Sequence, residues 1–571
     1  MNLRGFGVTQ KSRKYDLQSS LLEDLAGFLS KNLSGSVIKE DFEFIYPTGP
    51  DKGDISSNFA LKKANFLKKK PLDLARELKS AIKSSPFSSA FSCIDVAPPG
   101  FLNFTYSDSV IRDALQTIEE AGDNYGKQNQ DDGRRIIFEF VSANPTGPLT
   151  VAHARQAAVG DTLVRLYKKA GYLVCAEYYV NDRGVQIQNL GKSLLSRYLE
   201  MCGKKVDFPD DGYRGEYVTD LARKIYQEEG DIYLKKSEED AVRIFSDKAY
   251  QSIFQDIKKD LKDFRVIFDS FFSEKELEEQ GKIEQTIGLL KKKDLVYEKD
   301  GAVWFRTTEY QDDKDRVLIK SDGSTTYLAS DIPYHWDKLK RGFDLLVNIV
   351  GPDHHGYIPR LKAAVGSFGK EHEGKLNVLI VQLATLYRGE TQLRMSTRAG
   401  EFISLRELVR EVGVDAGRYF FVSRRPNSLL DFDLELAKKQ TPENPVFYVQ
   451  YVHARIASIF RKYEESFPKR SLPGWKDLDW EKMEDDDRFL VKALLRFPDT
   501  LRSAALSFEP QRVTIYLENL AGIFHSYYNK NKILDDSNHR KMDLRLHIMR
   551  CLATVIRNGL DILGVEAPEK M

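Results

Sequence analysis

Apolar residues recur with two different periods along this chain. Four segments, Arg135-Ile-Ile-Phe-Glu-Phe-Val141, Leu173–Val180, Leu345–Val350 and Asn377–Gln382, are short and nearly continuous apolar runs. That is the pattern of strands buried on both faces. Between the first two, Val151 to Ala170 repeats its apolar positions at helical spacing and stops at Gly171, a favourable residue just past a helix end. Strands separated by helices predict a parallel, doubly wound sheet. A highly charged helical stretch, about residues 192–293, is expected as an insertion on the edge of that sheet. After about Asp431 the strand signals stop, and Phe447, Val449, Tyr451, Val452, Ile456 and Ile459 fall at the three-and-four spacing of a helical bundle. Ahead of the sheet lies a small mixed α+β segment. It has a helix over Leu21–Ser30, an extended run Asp41–Tyr46, a Lys-rich helical stretch about Leu61–Lys83 and a strand over Gly100–Tyr106. The polar stretch Asp123–Arg134 reads as a linker. The expected division is 1–122, 123–430 and 431–571.

Composition agrees with several packed domains. A length of 571 residues suggests about three or four at roughly 150 residues each. With 33 Phe and 27 Tyr the chain is too rich in large apolar side chains to be disordered. Its apolar runs are strand-sized, well short of the about 20 residues a membrane span needs. The first residues, Met-Asn-Leu-Arg-Gly-Phe-Gly-Val, lack the basic-then-apolar pattern of a secretory signal, so the protein is expected to stay where it is made. Lys and Arg number 86 against 85 Asp and Glu, a net charge of +1. This excludes a generally basic nucleic-acid coat and leaves local patches to hold any polyanion. Cys93, Cys175, Cys202 and Cys551 are scattered, without the paired spacing of a zinc site or a disulfide framework.

In an open parallel sheet, ligands bind beyond the carboxyl ends of the strands. The run from Glu139 to Arg155 has that layout, with a strand end, the loop Asn144-Pro-Thr-Gly-Pro148 and a helix opening near Thr150 or Val151. Free amides at such a helix start favour a phosphate, and His153 in the first turn could donate to a phosphate or a ribose. A surface loop capped by Thr150 fits the same residues.

The wider sequence favours the first reading. Glu139-Phe-Val-Ser-Ala-Asn-Pro-Thr-Gly-Pro-Leu-Thr-Val-Ala-His-Ala-Arg155, Tyr178-Tyr-Val-Asn-Asp-Arg-Gly-Val-Gln-Ile187 and Arg394-Met-Ser-Thr-Arg-Ala-Gly400 together resemble the signatures of bacterial arginyl-tRNA synthetases. Gly53–Ala60, Gly100–Phe104 and the ending Leu563-Gly-Val-Glu-Ala-Pro568 extend the resemblance over nearly the whole chain. It implies a Rossmann-like class I catalytic domain, an α+β domain before it for the tRNA elbow, and an all-α anticodon-binding bundle after it. It also implies a cytoplasmic, monomeric enzyme acting on arginine, tRNA(Arg) and ATP, the last taken with Mg as a substrate. No tightly bound metal or organic cofactor is expected.

The same resemblance distributes roles among the residues. Glu139, Asn144, Tyr327, Asp331 and His354 would surround arginine, whose planar guanidinium pairs best with carboxylates. Thr150, Ala152 and His153, with Met395 and Ser396, would hold ATP, while Thr150, His153, Arg394, Met395, Ser396 and Arg398 form the catalytic set. Phe101, Asn103, Tyr451, Arg455, Tyr527, Asn529 and Met571 are the candidate tRNA contacts, since aromatic and basic side chains stack and pair with exposed nucleotides. The sequence departs from the family pattern at Thr150, Ala152 and Thr397, where His, Gly and Lys are usual. A copy that binds arginine or tRNA without charging, and a small-molecule nucleotidyltransferase, remain as alternatives at this level.

Overall fold

The computed structural model describes residues 17–33, 37–38, 41–47, 52–127, 133–393 and 402–571. In the amino-terminal part, α1 (Leu17–Asn32) precedes β1 (Phe44–Ile45) and β2 (Ile55–Ser57). Then come α2 (Phe59–Lys63), α3 (Pro71–Lys83), β3 (Phe91–Ala97), β4 (Phe101–Tyr106) and α4 (Asp108–Ala121). The four strands form an antiparallel sheet in the order β1-β2-β4-β3. The single Lys-rich helix expected here is two helices, with Pro71 opening the second, a position where its missing N–H costs nothing. Strand β3 was not foreseen, because a register irregularity between Phe91 and Cys93 breaks the alternation that marks a strand.

The central sheet is built from β5 (Arg135–Glu139), α5 (Val151–Lys169), β6 (Leu173–Val180), α6 (Val185–Met201), α7 (Glu216–Glu229), α8 (Glu238–Asp263) and β7 (Ser270–Ser273). Helices α9 (Glu274–Glu279) and α10 (Lys282–Lys292) follow, then an antiparallel meander of β8 (Val296–Lys299), β9 (Ala302–Phe305) and β10 (Arg316–Ile319). The chain returns through α11 (Tyr327–Lys340) to β11 (Leu345–Val350), α12 (Ile358–Gly366) and β12 (Leu376–Ile380). The order is β12-β11-β5-β6-β7, all parallel. The chain therefore winds outward from β5 in one direction and then restarts beside it with β11. That reversal opens a crevice between the carboxyl ends of β5 and β11, the place where doubly wound sheets bind ligands.

One expectation needs correction. The charged region about 192–293 is not wholly an insertion, because β7 within it forms the sheet's edge strand. Four residues are too few to show a strand period against so charged a background. The meander that follows was also unread.

Beyond the sheet come β13 (Ala384–Arg388), β14 (Thr391–Gln392), α13 (Leu405–Val412), α14 (Val414–Val422), β15 (Leu430–Asp433) and α15 (Leu434–Lys438), with β15 pairing parallel to β13. The carboxyl-terminal bundle contains α16 (Pro445–Ser466), α17 (Asp485–Leu495), α18 (Phe497–Ser507), α19 (Gln511–Lys530) and α20 (His539–Leu563). Val449, Val452, Ile456 and Ile459 are buried on α16 as their spacing predicted. No helix among the described residues is long and apolar enough to cross a membrane.

Helix α5 lies at the centre of this arrangement. A methyl group at Gly160 would sit 2.3 Å from the Phe140 ring, so the glycine permits the helix to press against the end of β5. Farther along, Asp161 accepts from Arg165 at 2.7 Å and from Arg418 of α14 at 2.5 Å. The fully buried Arg418 also donates to the carbonyls of Phe264 (3.0 Å) and Leu563 (2.7 Å). The helix that opens at the crevice is thus bonded to the last turn of the bundle.

Candidate active site

The loop leaving β5 is held in an unusual shape. Val141 and Ser142 adopt positive φ values of 67° and 39°, and a β-branched residue there is strained, at a cost of about 1–3 kcal/mol. Neighbouring contacts hold the shape. The Tyr179 amide donates to Ser142 Oγ at 3.1 Å, the Tyr178 hydroxyl to the Ala143 carbonyl at 2.8 Å, and the Tyr217 hydroxyl to the Thr146 carbonyl at 2.7 Å.

Thr150 then caps α5. Its backbone N–H donates to His153 Nδ1 at 3.1 Å, with the hydroxyl oxygen also 3.1 Å from that nitrogen. An Nδ1 that accepts leaves the ring proton on Nε2. Burial lowers the imidazole pKa to about 4, opposed by the charge of Asp353. His153 is therefore a neutral N–H donor at neutral pH, at the start of a helix. Neutral donation and the helix's free amides suit a phosphate or ribose oxygen.

Where β5 and β11 end lies an acidic cluster. Asp331, one turn into α11, accepts from the Tyr357 hydroxyl at 2.5 Å and makes no ion pair among the described residues. Burial pushes its pKa up to about 7, and the charges of Glu139 and Glu274 add to this, against the Tyr357 hydrogen bond and Lys338. Glu139 is not free in the same way. It accepts at 2.6 Å from Lys338, whose side chain is fully buried. Lys338 also donates to Asn348 Oδ1 at 3.3 Å. Asn348 in turn donates to His335 Nε2 at 3.0 Å, and His335 Nδ1 lies 2.8 Å from the Asp331 carbonyl. Burial lowers His335 to about 3, so it is neutral, with Nδ1 donating and Nε2 accepting. Behind this chain, Glu177 on β6 takes two bonds from Arg341 (2.6 and 2.9 Å) and one from Tyr334 (2.9 Å). Lys338 and Arg341 offset Glu139 and Glu177, and Asp331 is left as a carboxyl group without a cation. A positive charge brought next to it would favour its ionised form.

The other anticipated residues are placed unevenly. Tyr327 opens α11 one turn before Asp331 and is 72% exposed. Asn144 is exposed on the β5 loop, and its Oδ1 accepts from Asn181 at 3.1 Å. His354 stands in an exposed turn after β11, 3.6 Å from Asp353. Ala152 is partly exposed in the first turn of α5. Arg394, Met395, Ser396 and Arg398 lie outside the described residues. Sequence reasoning missed Tyr357, Glu274 and Lys338. Glu274 follows directly on β7, so reading that strand would have flagged it as a strand-end acid.

At the distal candidates, Phe101 and Asn103 are half-buried on β4, and Asn103 Oδ1 accepts from Ser56 Oγ at 2.7 Å. Arg455 lies over the rings of Tyr451 and Tyr528, at 5.0 and 5.3 Å. Asn529 and Met571 are exposed. Tyr527 is a correction. It is buried, its hydroxyl donates to Asp487 at 2.6 Å, and it has no free face for a base. Its neighbour Tyr528, about 100° around the helix, is the partly exposed ring.

A sheet of this order, with its switch-point crevice beside a histidine-bearing helix start and a helical bundle after it, is the architecture of a class I aminoacyl-tRNA synthetase. Comparison with known proteins narrows the class. Residues 115–434 match the family model "tRNA synthetases class I (R), catalytic domain". Residues 16–106 match the arginyl tRNA synthetase N terminal domain, and 449–571 the DALR anticodon binding domain. The chain belongs to the arginyl-tRNA synthetase family. It is 44% identical to an arginine–tRNA ligase of Citrifermentans bemidjiense, over 98% of this chain and 100% of that one. With one from Bacillus subtilis it shares 42% identity, over 97% and 100%. Among solved structures, a putative arginyl-tRNA synthetase from Campylobacter jejuni aligns with TM-score 0.72 at 35% identity, covering 81% of this chain and 100% of the other. The Thermus thermophilus arginyl-tRNA synthetase shares the fold, with TM-score 0.76 at 22% identity over 97% and 100%.

Proposed function

We propose that this protein is an arginine–tRNA ligase: it joins L-arginine to AMP with ATP, releases pyrophosphate, and passes the arginyl group to the 3′ end of tRNA(Arg). The observation that carries this reading, in a chain of this family, is the uncompensated Asp331 where β5 and β11 end. A guanidinium entering the pocket supplies the cation that Asp331 lacks, with Tyr357 orienting the carboxylate and Tyr327 and Asn144 at the rim. Glu139, neutralised by Lys338, shapes the pocket more than it attracts charge. ATP, taken with Mg²⁺ as the substrate complex, would set its phosphates against the amides of α5 and His153 Nε2–H, with Thr150 holding the imidazole tautomer. Adenylation is mostly a matter of positioning and charge stabilisation. Arg394 and Arg398, assigned from the sequence, supply positive charge towards the departing pyrophosphate, with Met395 and Ser396 beside the nucleotide. Phe101 and Asn103 at one end, and Tyr451, Arg455, Asn529 and Met571 at the other, are the proposed tRNA contacts. The enzyme is taken to be a cytoplasmic monomer, as the resemblance implies.

The test is arginine attachment by the purified protein to its matched tRNA. Arginyl-tRNA, AMP and pyrophosphate are expected in equal amounts. Binding of arginine and tRNA with no charged product would instead identify a binding copy whose altered Thr150, Ala152 and Thr397 no longer support chemistry.

A further inference from the structure

Arg155 is a fully buried cation without a carboxylate partner among the described residues. It lies two residues past His153 on α5, and both terminal nitrogens of its guanidinium are spent on main-chain carbonyls. Nη1 donates to Gln382 (2.8 Å), Leu383 (3.2 Å) and Ser428 (2.9 Å), and Nη2 to Arg425 (3.1 Å). The acceptors belong to two segments, one between β12 and β13 and the other just before β15. These segments also bond to each other, through Gln382 N–H to the Pro426 carbonyl at 2.8 Å. Burial lowers the guanidinium only to about 10, so it is charged at neutral pH.

The placement of these bonds has a functional meaning. The segment gripped by Arg155 leads directly into the β13–β14 hairpin, after which the chain continues to Arg394–Arg398. Where the described chain resumes, it is tied to the same helix entrance. Ser404 bridges Thr150, and Leu405 N–H donates to the Leu149 carbonyl at 2.7 Å. Both flanks of the second signature are therefore anchored on the few residues around His153. A buried arginine is suited to this because its planar fork can serve several carbonyls at once, whereas an ammonium on a flexible stem cannot hold the same spread.

We propose that Arg155 is a positioning residue for the ATP-dependent step, holding the flank of the second signature at a fixed distance from His153. This rests on the ligase reading. It separates Arg155 from the acidic pocket, since none of its acceptors belongs to the residues around Asp331.

The experiment compares wild type, Arg155→Lys and Arg155→Gln in steady-state charging, with arginine binding measured by calorimetry and thermal melting in parallel. The expected result is at least a tenfold fall in kcat/KM for ATP, with the dissociation constant for arginine within twofold of wild type. Lysine is expected to retain more activity than glutamine. Unchanged kinetics overturn the proposal. So do equal losses towards ATP and arginine, or loss of the melting transition in both variants, because each makes the residue merely structural. A wild-type protein that fails to charge tRNA defeats the ligase reading, whereas a charging wild type with ATP-insensitive variants defeats only the role of Arg155.

Discussion

Asp331 shows how one carboxyl group can be set by its surroundings. An acid whose pKa is raised to about 7 in the fold binds protons there that the unfolded chain has released, so its contribution to stability falls as pH rises from about 4 to 7. If Asp331 binds the guanidinium as proposed, arginine requires the ionised form, and binding releases a proton below pH 7. Arginine affinity is expected to weaken roughly tenfold between pH 8 and pH 6. Titration calorimetry in two buffers of different ionisation enthalpy measures both effects, and Asp331→Asn should abolish the pH dependence. The same substitution removes a hydrogen-bonded charge, worth about 1.5–3 kcal/mol. It should raise KM for arginine roughly 10- to 150-fold and leave KM for ATP near wild type. His153 was named from a contiguous signature block, and Asp331 from the family resemblance and its four-residue spacing from Tyr327, which puts both on one helix face. Lys338 was not, since a lysine late in a helix reads as a solvated end, and only the fold turns it inward against Glu139. Tyr527 failed in the other direction. Aromatic and basic neighbours on a helix look alike whether they face a base or the core, and its burial against Asp487 was decided by the packing of α17 on α19.

At the scale of elements, α5 does several jobs at once. Its first turn presents His153, its middle presses on Phe140 through Gly160, and Asp161 and Arg165 carry it to the bundle. Alanine at Gly160 gains up to about 1 kcal/mol of helix propensity, yet its methyl group overlaps the Phe140 ring. Overpacking of this kind costs about 1–3 kcal/mol, so Gly160→Ala should lower stability in a denaturant titration, and its displaced helix should reduce charging more than arginine binding. The long strands and α5 itself were readable because each shows a full period of its pattern. The short strands β7 to β10 show about two repeats at most, and β3 loses its period at an irregularity. Their identity comes from the neighbours they pair with, which no local window contains.

At the scale of the whole molecule, Arg418 joins three parts of the chain through Asp161, Phe264 and Leu563. Burial lowers its pKa, opposed mainly by Asp161. Breaking a buried charge pair costs about 3–5 kcal/mol. Because Asp161 keeps Arg165, Arg418→Met is expected near the lower end, as a loss of about 3 kcal/mol in equilibrium unfolding. The near equality of basic and acidic residues, 86 against 85, belongs to this scale too. The total is neutral while the crevice is acidic around Asp331, and the cations near it are occupied by Glu139 and Glu177. The measurement that tests this account most directly is AMP release from ATP by the purified protein with its matched tRNA, compared between arginine and citrulline. Citrulline has nearly the same shape without the charge. Release with arginine and little or none with citrulline is the predicted result. Equal release with both, or none with arginine, would contradict a carboxylate pocket that selects a guanidinium for attachment to tRNA.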